Sequence, residues 1–359
     1  MNNNNFKIGK FDINSNSKTY FIADIAANHD GDLEKAKDLI YLAKESGADA
    51  AKFQHFKAKT IVSDYGFKML GLNSSHQKEW KKSTYEVYKD AEVPLEWNKT
   101  LYETCKKVDI DFFTSPYDIN EIDSINKYLP AFKVGSGDIT YHDIIIKMAE
   151  YKKPILIATG ASSLDEVDFI MRKVEKINKN IVLMQCNTNY TAKDENFKYI
   201  QLNVLKLYAQ LFPNAILGLS DHTLGHTTVL GAIALGAKVI EKHFTSDNNL
   251  DGPDHKFSMN PGSWREMIDR AREIEYALGE KVKKVEDNEK ETCILQRRCL
   301  RASRILNKGD IITLDMLEAL RPAPIGAILP FEIDLIIGKK LNNSIAHGAD
   351  LRWEDIQND

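Results

Sequence analysis

Eight short runs rich in apolar and β-branched residues recur along the first 245 residues, and each is followed by a stretch of helical spacing or composition. They begin at Tyr20 (YFIADIAAN), Ala50 (AAKFQHF), Asp109 (DIDFFTS), Ala131 (AFKVGSG), Pro154 (PILIATG), Ile181 (IVLMQCN), Ala215 (AILGLSD) and Val239 (VIEKHFT). Between the first two, Leu33, Ala36, Leu39, Ile40 and Ala43 repeat at intervals of three and four, the buried stripe of an amphipathic helix. Strands alternating with helices specify a parallel sheet, and eight such units are the number that closes a barrel. The predicted fold class is α/β: a (β/α)8 TIM barrel followed by a small β-rich domain. An open doubly wound sheet is the rival. The polar residues separate the two, because Asn28, Gln54, Ser115, Ser136, Thr159, Asn187, His222 and His243 all fall at or just past strand ends, as eight strands opening onto one mouth require.

The barrel is expected to occupy residues 1–280. Beyond Ala277 the chain turns charged (GEKVKKVEDNEKE) and reads as a solvated linker over 281–298. From 299 to 359 come short β-like segments broken by Gly and Pro turns. A piece of about sixty residues makes a marginal core, so it is expected to lean on the barrel or on a second subunit. Lys and Arg number 48 against 52 Asp and Glu, a balance that gives no reason to expect a nucleic-acid or membrane partner. The start, MNNNNFKIGK, lacks the apolar core of a secretory signal, and none of the four cysteines forms a C-x-x-C pair. A reduced, cytoplasmic protein with a small-molecule partner is the expectation.

His222 and His243 lie at the ends of the seventh and eighth strands, which are neighbours in a barrel. Each alone reads more readily as a hydrogen-bonded structural histidine; together they point to a shared metal. Two imidazoles that leave positions open for water and substrate oxygens suit catalytic Mn2+ or Mg2+ better than a closed zinc site. Asp221 and Glu241 read as the partners that orient the rings. Lys52, Lys133 and Lys242 lie inside strands, where an ammonium must meet an anion or shift its pKa. With Ser115, Ser136 and Ser220 near the same rim, and Gly135 and Gly137 allowing close backbone approach, the simplest anion is a substrate phosphate or carboxylate. A lysine reaching an exterior carboxylate and a Schiff-base lysine are the alternatives, the second made redundant by a metal. Asp24, within its strand, is a candidate carboxylate base, whereas Asp30 and Asp32 read as helix N-caps. In DGPDHKFSMNP, Asp254 and His255 either reach a polyol or make the turn.

ANHDGDLEKAKDLI, GADAAKFQ, FKVGSGD, ATGAS, GLSDHT, EKHFT, GPDHKFSMNP and the C-terminal RPAPIG with IAHGADL, taken in this order over nearly the whole chain, resemble the sialic acid synthases and the wider nonulosonic acid synthases. The resemblance implies an alkyl-group transferase that condenses phosphoenolpyruvate with an open-chain 2-acetamido sugar, typically N-acetylmannosamine, to give N-acetylneuraminate or a related nine-carbon keto acid plus phosphate. It implies that the C-terminal piece is an antifreeze-like (SAF) domain capping the partner's barrel in a domain-swapped homodimer. His222 and His243 match the metal-binding histidines. Lys52, Lys133, Ser115, Ser136 and Ser220 match positions that hold phosphoenolpyruvate. Gln54, Tyr190, Asp254 and Arg321 match positions near the sugar, Arg321 coming from the other chain. Asp24 or Glu241 would manage the proton of the attacking water beside Lys52. Four positions depart from the family pattern: Asp24 and Asp138 stand where Glu is usual, Ala158 replaces a Ser of the phosphate site, and Thr188 replaces an Asn. Changed groups on the sugar side open the choice to a 2,4-diacetamido sugar of the legionaminate or pseudaminate type, or an unacetylated hexose. A metal-dependent aldolase on the same barrel and a non-catalytic interaction protein are the rival functions.

Overall fold

The computed structural model describes residues 4–70, 80 and 82–357. The chain divides into two compact units, 1–279 and 280–359. A short antiparallel hairpin, β1 (Phe6–Ile8) and β2 (Phe11–Ile13), comes first. Every one of the eight predicted runs then contains a strand: β3 (Tyr20–Asp24), β4 (Ala50–His55), β5 (Asp111–Pro116), β6 (Phe132–Val134), β7 (Ile155–Ala158), β8 (Ile181–Cys186), β9 (Ile216–Asp221) and β10 (Val239–His243). They form one parallel sheet in the order β5-β4-β3-β10-β9-β8-β7-β6, and β5 lies alongside β6 to close it. This is the TIM-barrel architecture.

Because successive side chains on a strand point to opposite faces, each strand splits into two sets. Phe21, Phe53, Phe132, Leu183, Leu219 and Ile240 face outward into the core beneath the helices. Tyr20, Ile22, Phe113, Leu156, Val182 and Ile216 face inward and fill the lower barrel. Phe6, Ile8 and Ile13 of the hairpin join this interior cluster, and the Phe11 ring meets Tyr20 edge-on at 5.1 Å between centroids. The hairpin was not expected, since three-residue strands are too short for any periodicity to register.

At the first helix, Leu33–Glu45, Asp32 is the N-cap, accepting from the N–H groups of Glu34 (2.8 Å) and Lys35 (3.3 Å). Asp30 is not a cap. It pairs with Lys35 and sits 3.2 Å from His255 Nε2, joining the first loop to the last. The β4–β5 connection is long and carries helices at Ala58–Ile61, Asp64–Leu70, Thr84–Asp90 and Trp97–Lys107. In the second unit, β11 (Cys299–Ala302) and β12 (Leu317–Leu320) pair antiparallel over a small core that includes Leu300, Leu306, Ile312, Ile328, Ile336 and Leu351. The segment read as a solvated linker is partly ordered: Lys290–Gln296 is helical, and the Ile294 carbonyl accepts from the Ala323 N–H at 2.9 Å. Among the described residues no helix is long and apolar enough to cross a membrane.

Gly218 of β9 occupies an inward position where a Cβ would lie 2.8 Å from the Val239 carbonyl oxygen and 2.9 Å from Met184 Cγ. The first contact is backbone on a neighbouring strand and has little room to yield. Gly218→Ala is expected to destabilise the barrel by about 1–3 kcal/mol, the usual cost of overpacking. A denaturant midpoint equal to that of the parent protein would contradict this packing.

Candidate active site

The apolar filling of the barrel stops short of the C-terminal ends of the strands. The next inward positions are Asp24, Lys52, Ser115, Lys133, Ala158, Cys186, Ser220 and Glu241, all buried. Above them opens a cavity of about 420 Å³. Strand alternation therefore gathers most of the predicted residues, and Asp24, Lys52, Gln54, Lys133, Ser136, Asp138, Tyr190, Ser220, His222, Glu241, His243 and Asp254 all line this one cavity.

Its floor is a four-charge cluster. Lys52 Nζ lies 2.7 Å from Asp24 Oδ2 and 3.2 Å from Glu241 Oε1, and Lys133 Nζ lies 3.3 Å from the same Glu241 oxygen. Gln54 Nε2 donates to Asp24 Oδ2 at 3.1 Å, and Ser220 Oγ donates to Glu241 Oε1 at 3.3 Å. Glu241 Oε2 is buried and has no hydrogen-bond partner among the described residues. The two carboxylates differ in character. Burial pushes Asp24 above the usual carboxylate range despite Lys52. Burial acts the same way on Glu241, but Lys133 and Lys52 outweigh it and hold the carboxyl down at about 2. The lysines differ too: burial lowers both, and Asp24 and Glu241 reverse the effect for Lys52 while Lys133 stays below its ordinary value.

The two histidines stand beside this cluster, with ring centroids 5.3 Å apart. His222 Nδ1 lies 2.9 Å from the Asn187 carbonyl, so the ring donates there and its Nε2 keeps a lone pair. His243 Nδ1 is buried without a partner among the described residues. Burial first, then the neighbouring ring for His222 and Lys52 for His243, pushes both down to about 3, so both are neutral at physiological pH. Tyr190 packs on His222 at 4.3 Å and Phe257 on His243 at 4.9 Å, edge-on in each case. No cluster of three or more His, Cys, Asp or Glu side chains has metal-holding geometry among the described residues. Two neutral imidazoles, one with an orphaned buried nitrogen, nevertheless fit as the protein half of a divalent-ion site completed by water and substrate oxygens.

Several expectations need correction. Asp221 and Lys242 point outward, away from the histidines and the cavity. Asp221 Oδ2 accepts from Lys242 Nζ at 2.5 Å, Thr223 Oγ1 at 2.8 Å and Thr228 Oγ1 at 2.7 Å, a closed network behind the strands. Both are one residue out of phase with the inward set, so Asp221 orients no ring and Lys242 meets no substrate anion. Glu241 bonds the lysines and Ser220 and makes no hydrogen bond to a histidine ring. His255 makes the turn, bonding Thr245 Oγ1 at 2.6 Å, while Asp254 faces the cavity and accepts from the Ala27 N–H at 3.2 Å. Burial pushes Asp254 and Asp138 up to about 6. Ser136 Oγ accepts from the Gly160 N–H at 2.9 Å. Ser115 lies behind the lining, 3.5 Å from Lys52 Nζ. Thr188 lies beside Gly160 and does not line the cavity, and Arg321 is exposed on the second unit.

Lining residues that the sequence did not announce include Phe56, Ile61, Trp80, Val87, Tyr88 and Tyr117. Tyr117 directly follows β5, and an aromatic at a strand end was a signal available to find it. A Cβ on Gly135 would collide with its hydroxyl, which is why that strand end carries glycine. The others come from the β4–β5 connection, where nothing in the local spacing marks them.

A closed α/β barrel with buried paired charges and two neutral histidines at the C-terminal mouth has the layout of a TIM-barrel enzyme site. The chain belongs to the NeuB family, whose model matches residues 39–283, and a SAF domain matches residues 297–357. It is 36% identical over 356 residues to the N,N'-diacetyllegionaminic acid synthase of Legionella pneumophila, covering 96% of each chain. It is 31% identical over 361 residues to the pseudaminic acid synthase of Campylobacter jejuni, covering 98% of this chain and 100% of that one. The crystal structure of the N-acetylneuraminic acid (sialic acid) synthetase of Leptospira borgpetersenii, in complex with citrate, matches with a TM-score of 0.69 at 25% identity, covering 80% of this chain and 95% of the other.

Removing one member of a buried ion pair leaves an uncompensated charge. Lys52→Met is expected to destabilise the protein by about 3–5 kcal/mol, and Lys52→Met with Asp24→Asn to recover much of the loss. Denaturant unfolding of the two variants checks this, and a single variant as stable as the parent would show that the cluster is not coupled as drawn.

Proposed function

We propose that this chain is a cytoplasmic synthase that condenses phosphoenolpyruvate with an open-chain 2-acetamido sugar, N-acetylmannosamine being the simplest acceptor, to form a nine-carbon keto acid and release phosphate. The observation that carries this reading is the floor cluster of Lys52, Lys133, Asp24 and Glu241 set beside two neutral histidines in one cavity. The ammoniums of Lys52 and Lys133 offset the charge of the phosphate and carboxylate, and the hydroxyls of Ser136 and Ser220 donate to them. Ser115 keeps Lys52 in place from behind. Ala158 offers no donor where a serine would stand, a loss of about 1 kcal/mol if water substitutes. His222 and His243 would hold Mn2+ or Mg2+, which supplies Lewis acidity toward an aldehyde oxygen when bound.

C3 of phosphoenolpyruvate forms the new bond to the aldehyde carbon of the sugar with its C2–C3 π pair; the aldehyde C=O π pair moves to the aldehyde oxygen, which takes up one proton to become a hydroxyl, and C2 is left cationic. Water adds to C2, Asp24 accepting its proton beside Lys52 while Glu241 stays ionised and steadies both ammoniums. The tetrahedral carbon then breaks its bond to the phosphate oxygen, and phosphate departs with that bonding pair. Gln54, Asp138, Tyr190 and Asp254 orient the acceptor. Thr188 acts only through the loop that carries Tyr190, and Arg321 is assigned to the acceptor in a domain-swapped homodimer on the family resemblance alone.

Phosphate release measured with phosphoenolpyruvate, Mn2+ and a panel of 2-acetamido and 2,4-diacetamido sugars tests the proposal. Sugar-dependent phosphate in equal amount to the phosphoenolpyruvate consumed is expected, and no release with any acceptor would overturn it. His222→Ala is expected to lose Mn2+ binding, followed calorimetrically, and to lower the rate by at least about a hundredfold, as removal of a transition-state charge stabiliser does. Retained metal binding in that variant would remove His222 from the site.

A further inference from the structure

The loop that follows β10 carries two groups of the site on one turn. Asp254 faces the cavity, and Phe257 packs edge-on against His243 at 4.9 Å between ring centroids. That packing is needed because no hydrogen bond fixes the His243 ring: Nδ1 has no partner among the described residues, and Nε2 lies 3.7 Å from Asp24 Oδ2, beyond hydrogen-bond range. Bonds within the loop keep the shape of the turn, Asn248 Nδ2 donating to the carbonyls of His255 at 2.9 Å and Ser258 at 2.7 Å. They do not set where the turn sits against the strands.

The loop that follows β3 does this at three points. The Ala27 N–H donates to Asp254 Oδ2 at 3.2 Å, and Asn28 Nδ2 donates to the Phe244 carbonyl and to Ser258 Oγ, both at 2.9 Å. Asp30 makes the third contact. Its carboxylate oxygens lie 3.2 and 3.3 Å from His255 Nε2, and because an ionised carboxylate only accepts, that nitrogen is the donor. On the other side of the ring, His255 Nδ1 meets Thr245 Oγ1 at 2.6 Å. His255 is therefore held at both nitrogens, fully buried, at the head of the turn His255–Phe257. Gly252 passes so close over the ring that a Cβ there would lie 2.6 Å from His255 Cδ2. Asp30 is the outer end of this chain of contacts, with its side chain 34% exposed and a second partner in Lys35.

We infer that Asp30, acting through His255, positions Asp254 and Phe257, and so sets both the acceptor side of the cavity and the orientation of the His243 ring. Asp30 does not line the cavity; it is a positioning residue. Its effect on the acceptor rests on the condensing reaction proposed above, and its effect on His243 rests on the two histidines holding a divalent ion. Groups that orient a ligating side chain from behind typically change metal affinity about 10- to 100-fold when removed.

The test compares the full-length parent with Asp30→Gly, Asp30→Asn and Lys35→Ala, following Mn2+ binding by calorimetry and the KM values for phosphoenolpyruvate and for the best acceptor of the panel by phosphate release. Position 30 has a left-handed backbone (φ 51°), which glycine and asparagine both tolerate. Asp30→Gly is expected to weaken Mn2+ binding about tenfold and to raise the acceptor KM about tenfold, with the KM for phosphoenolpyruvate within about twofold of the parent. The asparagine carbonyl still accepts from His255 Nε2, so Asp30→Asn is expected to restore both quantities to within about threefold of the parent. Lys35→Ala leaves the His255 contact in place and is expected to change none of them. Asp30→Ala provides the same readout as Asp30→Gly should the glycine variant fail to fold. Unchanged Mn2+ affinity or acceptor KM in a folded Asp30→Gly or Asp30→Ala, or a rise in the KM for phosphoenolpyruvate as large as that for the acceptor, would overturn the inference alone. No turnover by the parent with any acceptor would overturn the condensing reaction, and Mn2+ affinity then decides the inference by itself: weaker binding in Asp30→Gly with recovery in Asp30→Asn upholds it, and equal binding in all variants, or none in the parent, overturns it.

Discussion

Closure of the sheet is the constraint on which everything else depends. In a closed parallel barrel every strand residue faces either the helices or the axis, and the axis holds room for only a few layers of side chains. Apolar residues fill the lower part of this axis, sealed beneath by the Phe6–Ile13 hairpin. A polar side chain at the next inward position is then forced toward the C-terminal mouth, because that is the only wet place it can reach. Eight strands of similar phase deliver their polar residues to one small volume, and the site is a geometric consequence of that phase.

The convergence carries an electrostatic cost that the site resolves internally. Lys52 and Lys133 are each 2% exposed, too deep for solvent to stabilise an ammonium. Asp24 and Glu241 stabilise them, so the charges are stable only as a group. Fixed partners of opposite charge stand in for solvent around each of these groups, so the cluster is organised before any ligand binds. The histidines sit at the edge of the same field. Nearby positive charge and burial keep them neutral, the form in which imidazole presents a lone pair.

Much of this was legible in the residues because it depends on repeating local pattern. The eight strand-like runs, the cap at Asp32 and the polar residues at strand ends all follow from spacing and composition. Phase was harder to read: Asp221 and Lys242 look as reactive as Ser220, His222, Glu241 and His243, and only the inward or outward direction of each strand residue distinguishes them. The hairpin was too short to show a period. The helix at Lys290–Gln296 was hidden by its charged surroundings, since it is ordered by a contact through the Ile294 carbonyl that composition does not record. The cavity wall made by Phe56, Val87 and Tyr88 was invisible for another reason. Its residues face the site because of where a long connection folds back, a tertiary fact with no local signature.

That division between legible and hidden parts follows the architecture. The charged floor is built on strands whose phase is locked by the core on both faces; a one-residue shift in register would turn a whole strand inside out. The apolar wall of the cavity is built by the β4–β5 connection, whose helices can change length and side chains without disturbing any ladder hydrogen bond. Substitutions on that connection therefore reshape the cavity at little cost to the fold, while substitutions on the floor disturb the charged cluster and the stability together. The charged floor and the apolar wall thus rest on elements with different freedom to vary. In this chain the boundary between them runs between Gln54, the last inward residue of β4, and Phe56, the first residue of the wall.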